Sequence, residues 1–327
     1  MGVGGSADMP DRDALPHTVR VFAPASVSNL GCGFDIFGMA LEGIGDEVVV
    51  RAVEGTGIVS VTVSGDAGRV PTDPARNAAA LAVDGVLNRL ESAAGVAIQV
   101  RKGIPMASGL GGSAASAVAG AVAADALLGG NLDRTALLEC AMIGERKGSG
   151  ANHADNAAPS LIGGFVLVLP GTPPQMVQLP TPDDLVVAVA HPHMEVETRQ
   201  ARMILGHTIP LMAGVQQWGN AAGMVAGLFR GDWELIARCL CDAVAEPVRG
   251  KLVPGFERVR ASAVEAGAIG AGLSGSGPSV FALCRGRDPA ERVVTAMAEA
   301  FRDEAGVESD TVISAARAAG ARITEAR

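Results

Sequence analysis

Pro105-Met-Ala-Ser-Gly-Leu-Gly-Gly-Ser-Ala-Ala115 decides how this chain is read. Ser108, Gly109, Gly111 and Gly112 stand just before Ser113 and a run of mostly Ala, Val and Leu from Ala114 to Leu128. The run predicts a helix, and the glycines let backbone N–H groups approach a ligand with no side chain between them. A helix start adds unpaired N–H groups and the positive end of the dipole. Together they predict an anion site, most naturally for phosphate. The plain alternative is a helix start whose glycines serve close packing.

Two better-known phosphate loops do not fit. A Walker A loop ends in Gly-Lys-Ser/Thr, and no Lys lies between Lys102 and Lys147. A dinucleotide-binding turn would read Gly109-x-Gly111-x-x-Ala114, but a second helical stretch follows where a strand ending in an acid is needed.

Bulk composition narrows the function class. With 327 residues and 48% hydrophobic composition, the chain suits one large or two ordinary domains with proper cores. A net charge of −9 argues against nucleic acid as a partner, and eight Phe, two Trp and no Tyr leave no base-stacking platform. Cys32, Cys140, Cys239, Cys241 and Cys284 form neither a CxxC pair nor a His-linked metal spacing, which fits a reducing cytoplasm. No apolar run is long enough to cross a bilayer; the Ala-rich segment is short and broken by Gly120 and Asp125. The first residues lack a basic-then-apolar signal pattern, so no membrane partner is expected. Residues 1–16 read as a disordered tail.

Working outward, strands are predicted at 17–23, 46–52, 58–64, 97–101, 165–169, 185–190, 280–284 and 312–315. Helices are predicted at 77–94, 113–128, 133–146, 199–206, 214–230, 233–243, 256–266 and 289–303. The Pro-rich stretch 170–182 is the expected linker. The mixture is α+β.

Several segments outside the loop carry chemistry. Glu145 lies on the apolar face of its helix, in the last turn, where the dipole disfavours negative charge. Mg2+ bound to nucleotide phosphates would give it a partner; a frayed turn with Glu145 in water is the alternative. Ala151-Asn-His-Ala-Asp-Asn-Ala-Ala-Pro159 reads either as a loop that orients a substrate or as ordinary turn chemistry. Asn29-Leu-Gly-Cys-Gly-Phe-Asp35 is either a turn or a loop aiming Asn29 and Asp35 into a cleft. Gly270 to Ser279 is a second Gly/Ser loop, lying between a helix and a strand. Arg202 and Arg249 are either solvated charges or a clamp for a carboxylate.

Taken together, these segments resemble the GHMP small-molecule kinases from about residue 19 to 285. Pro24 to Asp35 resembles the family's first motif, Pro105 to Ala115 its phosphate loop, and Gly272-Leu-Ser-Gly-Ser-Gly-Pro278 its third motif. His153-Ala-Asp-Asn156, Thr198-x-x-x-Arg202 and Glu246-Pro-Val-Arg249, with the first motif, are closest to the branch whose acceptor is L-homoserine. The resemblance implies a two-domain α+β fold. Residues 17–170 would form the ATP-binding domain with a left-handed βαβ unit, an exception to the right-handed rule. Residues 171–327 would form a ferredoxin-like domain. It further implies cytoplasmic ATP- and Mg2+-dependent phosphorylation of L-homoserine, and a homodimer.

By the same resemblance, Pro105, Ser108, Gly109, Leu110, Gly111, Gly112, Ser113 and Ala114 cradle the triphosphate, and Asn77 touches the nucleotide. Ser113 and Glu145 hold the metal. Asn29 and Asp35 meet the hydroxyl and amino ends of the acceptor. Arg202 and Arg249 hold its carboxylate, with His153, Asp155 and Thr198 beside them. Asn156 stands where several family members carry an Asp base, and it cannot take a proton near neutral pH. The implied mechanism therefore has no protein base. The family's loop usually carries Ser where this chain has Gly112. Two alternatives remain at this point: another GHMP kinase acting on mevalonate or a sugar, and a catalytically silent ligand sensor.

Overall fold

Val19, Val21, Ala23, Ala25 and Val27 alternate along one strand, and all five side chains are buried. A period of two places them on one face of a sheet, around which the first half of the molecule is built. A computed structural model describes residues 16–149 and 154–327. His153 and residues 1–15 of the expected tail lie outside the described residues.

Among the described residues the first sheet has seven strands. Strand β1 (Thr18–Ser28) pairs antiparallel with the long β2 (Phe37–Val53). The second half of β2 pairs with β4 (Gly95–Arg101), which lies parallel to β3 (Gly57–Ser64) across helix α1 (Ala78–Arg89). This β3–α1–β4 segment is the βαβ unit. The first half of β2 pairs with β5 (Phe165–Leu169), and β5 with β6 (Gln175–Leu179). The expected linker at 170–182 thus contains a strand. The last strand, β11 (Arg322–Ala326), returns to the other edge of β1.

Helix α2 (Gly112–Leu127) runs through the centre of this half, between α1, α3 (Arg134–Ser149) and the sheet. Its Ala-rich sequence is apolar on all sides, as a fully enclosed helix requires. Helix α4 (Ala154–Ile162) follows, so the stretch read as a loop at 151–159 is helical from Ala154 onward.

The second sheet has the order β10-β7-β9-β8, all antiparallel. Its strands are β7 (Leu185–Pro192), β8 (Gly270–Leu273), β9 (Val280–Arg285) and β10 (Ser309–Ala315). Helix α9 (Phe256–Glu265) connects β7 to β8, and α10 (Arg287–Ala305) connects β9 to β10. A βαββαβ run in this order is the ferredoxin-like arrangement. The Gly/Ser loop expected from Gly270 is therefore a strand up to Leu273. Period-two alternation serves two cores here. Val187, Val189, Phe281 and Leu283 face the first core, while Ala188, Ala190, Ala282 and Cys284 face α9 and α10.

Between β7 and α9 the chain adds α5 (Thr198–Met203), α6 (Leu211–Arg230), α7 (Trp233–Cys239) and the one-turn α8 (Glu246–Arg249). This insertion carries both arginines to one side of the cleft between the sheets.

Candidate active site

Gly109 and Gly111 both adopt left-handed backbone angles, φ 78° and 69°. A Cβ on Gly109 would lie 2.5 Å from the Ser274 carbonyl oxygen, and one on Gly111 2.4 Å from Ser26 Oγ. Only glycine satisfies both the angle and the space. Gly111 is the N-cap of α2 and supplies no side-chain acceptor to the first turn. The first N–H groups of α2 are thus left for a ligand, at the positive end of a buried helix.

The loop is tied down from two sides. Ser26 N–H donates to the Leu110 carbonyl at 3.1 Å, and Leu110 N–H to Ser108 Oγ at 3.3 Å. From the third motif, Ser274 Oγ donates to the Gly109 carbonyl at 2.7 Å and Ser279 N–H to the Ser108 carbonyl at 3.2 Å. The two Gly-rich segments therefore form one structure. Underneath, the Lys102 ammonium donates to Asp46, to the Gly112 carbonyl at 2.8 Å and to Ser116 Oγ at 3.0 Å. Lys102 and Asp46 are both buried. Sequence reasoning used Lys102 only to exclude a Walker A loop. The available signal was an acid, Asp46, in period-two phase with the core-facing Val48 and Val50.

A cleft of about 710 Å³ opens above the loop, lined by residues from Pro105 to Ala114 together with Asn77, Glu145, Asp155 and Asn156. Asn77 caps α1: its Oδ1 accepts from Ala80 N–H at 3.1 Å and its Nδ2 donates to the Pro71 carbonyl at 2.8 Å. Glu145 is buried and takes a hydrogen bond from Ser113. Burial pushes its carboxyl above the usual range, against the pull of Ser113 and the Lys102 charge. A buried carboxylate beside a hydroxyl, opening on an anion cradle, is an oxygen donor set that fits a hard divalent cation, with phosphate oxygens and water completing the shell. Among the described residues no cluster of three or more acidic, His or Cys side chains offers a self-contained metal cage.

The other end of the cleft holds charges of both signs. Asn29 and Asp35 have positive φ, 69° and 57°. Asn29 Oδ1 accepts from Asp35 N–H at 3.1 Å, and its Nδ2 donates to the Gly275 carbonyl at 3.0 Å. Arg202 grips Asp35 with both Nη atoms, at 2.9 and 2.7 Å. Arg249 is buried, its Nε donating to the Ala201 carbonyl at 3.1 Å and its Nη1 to Gly275 at 3.2 Å. Both guanidinium groups stack on Phe34, at 5.4 and 5.2 Å from the ring centre. The ring face offsets the repulsion of two neighbouring cations. Phe34 is a second residue missed from the sequence.

Asp242 holds the turn that leads into α8 and Arg249, accepting from the Val244, Ala245 and Glu246 N–H groups. Thr198 opens α5, its hydroxyl 3.4 Å from Ser276 Oγ. Asn156 lies between the ends: its Oδ1 accepts from Ser26 Oγ at 3.0 Å and its Nδ2 donates to Ser28 Oγ at 3.1 Å. Asp155 is buried beside it. Burial, then the nearby Asp35 charge, lifts its carboxyl to about 7.

Residues 77–164 match the family described as GHMP kinases N terminal domain, and residues 224–303 match GHMP kinases C terminal. The chain is 43% identical over 315 residues to a homoserine kinase of Chloroherpeton thalassium, covering 93% of this chain and 99% of that protein. It is 38% identical over 319 residues to a homoserine kinase of Xylella fastidiosa, covering 96% and 98%. The crystal structure of homoserine kinase from Cytophaga hutchinsonii superposes with a TM-score of 0.90 at 42% identity, over 94% of this chain and 97% of that one. A mevalonate kinase from L. major, at 17% identity and a TM-score of 0.68 over 91% and 96% of the two chains, shares the fold alone.

Proposed function

This chain belongs to the GHMP kinase family, within its homoserine kinases, and on that premise we propose how its cleft moves the γ-phosphoryl of ATP to the hydroxyl of L-homoserine. The products are ADP and O-phospho-L-homoserine, on the route to threonine. One observation carries the assignment. An uncapped helix start fit for phosphates shares a single cleft with Arg249 and Asp35, and Arg202, paired with Asp35 and stacked on the same Phe34 ring as Arg249, completes a set of charges fit for an amino-acid zwitterion.

The backbone of Ser108 to Ser113 holds the triphosphate, helped by the dipole of α2. Ser113 and Glu145 would hold Mg2+, which neutralises phosphate charge when bound. Asp35 faces the substrate ammonium. Arg202 and Arg249 face its carboxylate, with Phe34 keeping their planes in place. Asn29 and Asn156 stand at the hydroxyl end. Phosphoryl transfer passes through a loose transition state, so positioning and charge neutralisation can supply most of the acceleration.

The acceptor proton leaves through phosphate or water rather than through a protein base. Asn156 cannot accept it, and Asp155 is assigned here a structural place, buried beside Asp35 with a hydrogen bond from Ser28. Loss of a true general base costs about 100- to 10,000-fold. Asp155→Asn should therefore keep kcat within about tenfold. Abolished turnover with L-homoserine binding intact, read by calorimetry, would make Asp155 the base.

The activity is tested by ADP release with Mg-ATP against L-homoserine, mevalonate, galactose and no acceptor. Release with L-homoserine alone is expected. Arg249→Leu should raise KM for L-homoserine about 100-fold, the cost of removing one partner of a buried charge pair, and leave KM for ATP unchanged. Arg249→Lys, which keeps the charge but loses the fork, should fall between. Release with mevalonate or a sugar would overturn the acceptor. ATP binding without turnover on any acceptor would point to a ligand sensor.

A further inference from the structure

The one-turn helix α8 reads Glu246-Pro-Val-Arg249, and it buries its two charged residues while leaving Pro247 exposed. Soluble helices usually do the reverse, and charged side chains go inside only where they are paired or put to use. Arg249 already has a place at the acceptor end of the cleft. Glu246, three positions earlier on the same side of the turn, has none. Burial lifts its carboxyl to about 7, so holding it there as a charge costs desolvation.

Three elements meet at that carboxyl. Its Oε2 accepts from the Leu273 N–H of β8 at 2.8 Å, and its Oε1 from Arg260 of α9 at 3.2 Å. Strand β8 is an edge of the second sheet, so a peptide N–H on its open side needs a partner from outside the sheet. Leu273 is buried, and Glu246 is that partner. Gly272 makes the approach possible, because a Cβ there would lie 2.5 Å from Oε2.

Helix α8 is thus fixed to the third motif at two points. Glu246 holds Leu273, and Arg249 Nη1 donates to the Gly275 carbonyl at 3.2 Å. Between those points stands Ser274, whose Oγ donates to the Gly109 carbonyl in the Gly-rich loop at 2.7 Å. Gly275 also accepts from Asn29 Nδ2 and donates its own N–H to the Ser28 carbonyl at 3.1 Å. Counter-charge for Arg249 comes from Asp35, then from Asp242 and Asp155. What Glu246 adds at Arg249 is position.

We propose that Glu246 is a positioning residue: by fixing α8 to the third motif it sets the spacing between the acceptor carboxylate, held by Arg249, and the triphosphate in the Gly-rich loop, a role that rests on the proposed function of that arginine and that loop. A misplacement of about 1 Å at reacting groups can cost on the order of 100-fold in rate, so this attachment bears on turnover and on acceptor affinity together.

Steady-state kinetics on variants of the full chain test the role. Glu246→Ala should lower kcat/KM for L-homoserine about 30-fold, inside the range for displaced reacting groups, and leave KM for ATP within about twofold of wild type. Glu246→Gln keeps the reach and an acceptor for Leu273 without the charge, and should recover most of the loss. Glu246→Asp keeps the charge but is one methylene short, and should stay low. Added to Arg249→Leu, Glu246→Ala should cost less than about threefold more, because residues that act as a unit are not additive. Full additivity of the two changes overturns the proposal, as does Glu246→Ala with wild-type kinetics. Recovery by Asp rather than Gln overturns it too, since Glu246 would then act as a charge. An equal rise in KM for ATP overturns it by showing a third motif that is merely loosened. An unchanged KM for L-homoserine in Arg249→Leu overturns the acceptor reading, and this role with it. Should Glu246→Ala fail to fold, the Gln and Asp variants carry the same decision.

Discussion

Glu145→Gln should lower kcat about 100- to 1,000-fold, the usual cost of removing one preorganised electrostatic group, while making the ligand-free protein more stable at neutral pH. The two effects have one cause. Glu145 is buried and its carboxyl is pushed above its ordinary value mainly by burial. In the window between the unfolded and folded values, the native state holds a proton that the unfolded state has released, so stability falls as pH rises. Above that window the native protein keeps a desolvated charge, partly offset by Ser113 and Lys102. Glutamine keeps the shape and the bond from Ser113 but has no charge to desolvate. It is also a poor ligand for a hard cation. Thermal melting without nucleotide should thus rise in the variant, and the stabilisation by Mg-ATP should shrink. Turnover within threefold of wild type at the same Mg2+ dependence would remove Glu145 from the metal site.

Asp155 obeys the same sign rule with a stated window. Its folded value of about 7 stands above the ordinary 3.8, so ligand-free stability should decline as pH rises from about 4 to 7. Buried carboxyls of this kind cost stability in the free protein, and under the proposed function they would gain further counter-charge when cation and substrate arrive. On that reading the cleft would be set for a bound state.

The Gly-rich loop and the helix it opens were legible because their cause is local. Left-handed glycines and the helix start they feed lie within a few residues of each other. Arg202, Arg249 and Asp35 were legible as chemistry, and Arg202 does reach Asp35 across 167 positions of sequence. What stayed hidden is non-local. Phe34 stacks on two arginines that come from distant helices. Helix α4 was obscured by Asp155, Asn156 and Pro159, which read as turn formers. Pro159 is tolerated because the carbonyl that its N–H would have bonded, that of Asp155, is turned toward Gly38, where a Cβ would lie 1.7 Å from it. That same approach explains why β2 contains Gly38, which broke the strand pattern and hid the first half of β2. The edge strands β6 and β11 carry too little apolar alternation to stand out.

Asp46→Asn should cost about 3–5 kcal/mol of folding stability, because it leaves the buried Lys102 charge without a counter-charge. Lys102→Met should cost less, for a reason visible in the bonds. Asp46 would keep three donors: Gly103 N–H at 3.0 Å, Ile104 N–H at 3.1 Å and Ser116 Oγ at 2.6 Å. Lys102, by contrast, has three acceptors for its three protons, and one of them is the Gly112 carbonyl in the first turn of α2. Removing the lysine unties that turn and withdraws a positive charge from the cleft it lines. KM for ATP should rise at least tenfold in Lys102→Met, with KM for L-homoserine little changed. The double variant separates the two roles. Asp46→Asn combined with Lys102→Met leaves no unpaired buried charge, so chemical denaturation should recover most of the stability lost in Asp46→Asn. ATP affinity should stay low, because the tether to Gly112 is still missing. Recovery of ATP affinity along with stability would mean that the ion pair only holds the fold. Failure of affinity to recover would locate in Lys102 the strut that keeps the phosphate loop in its binding shape.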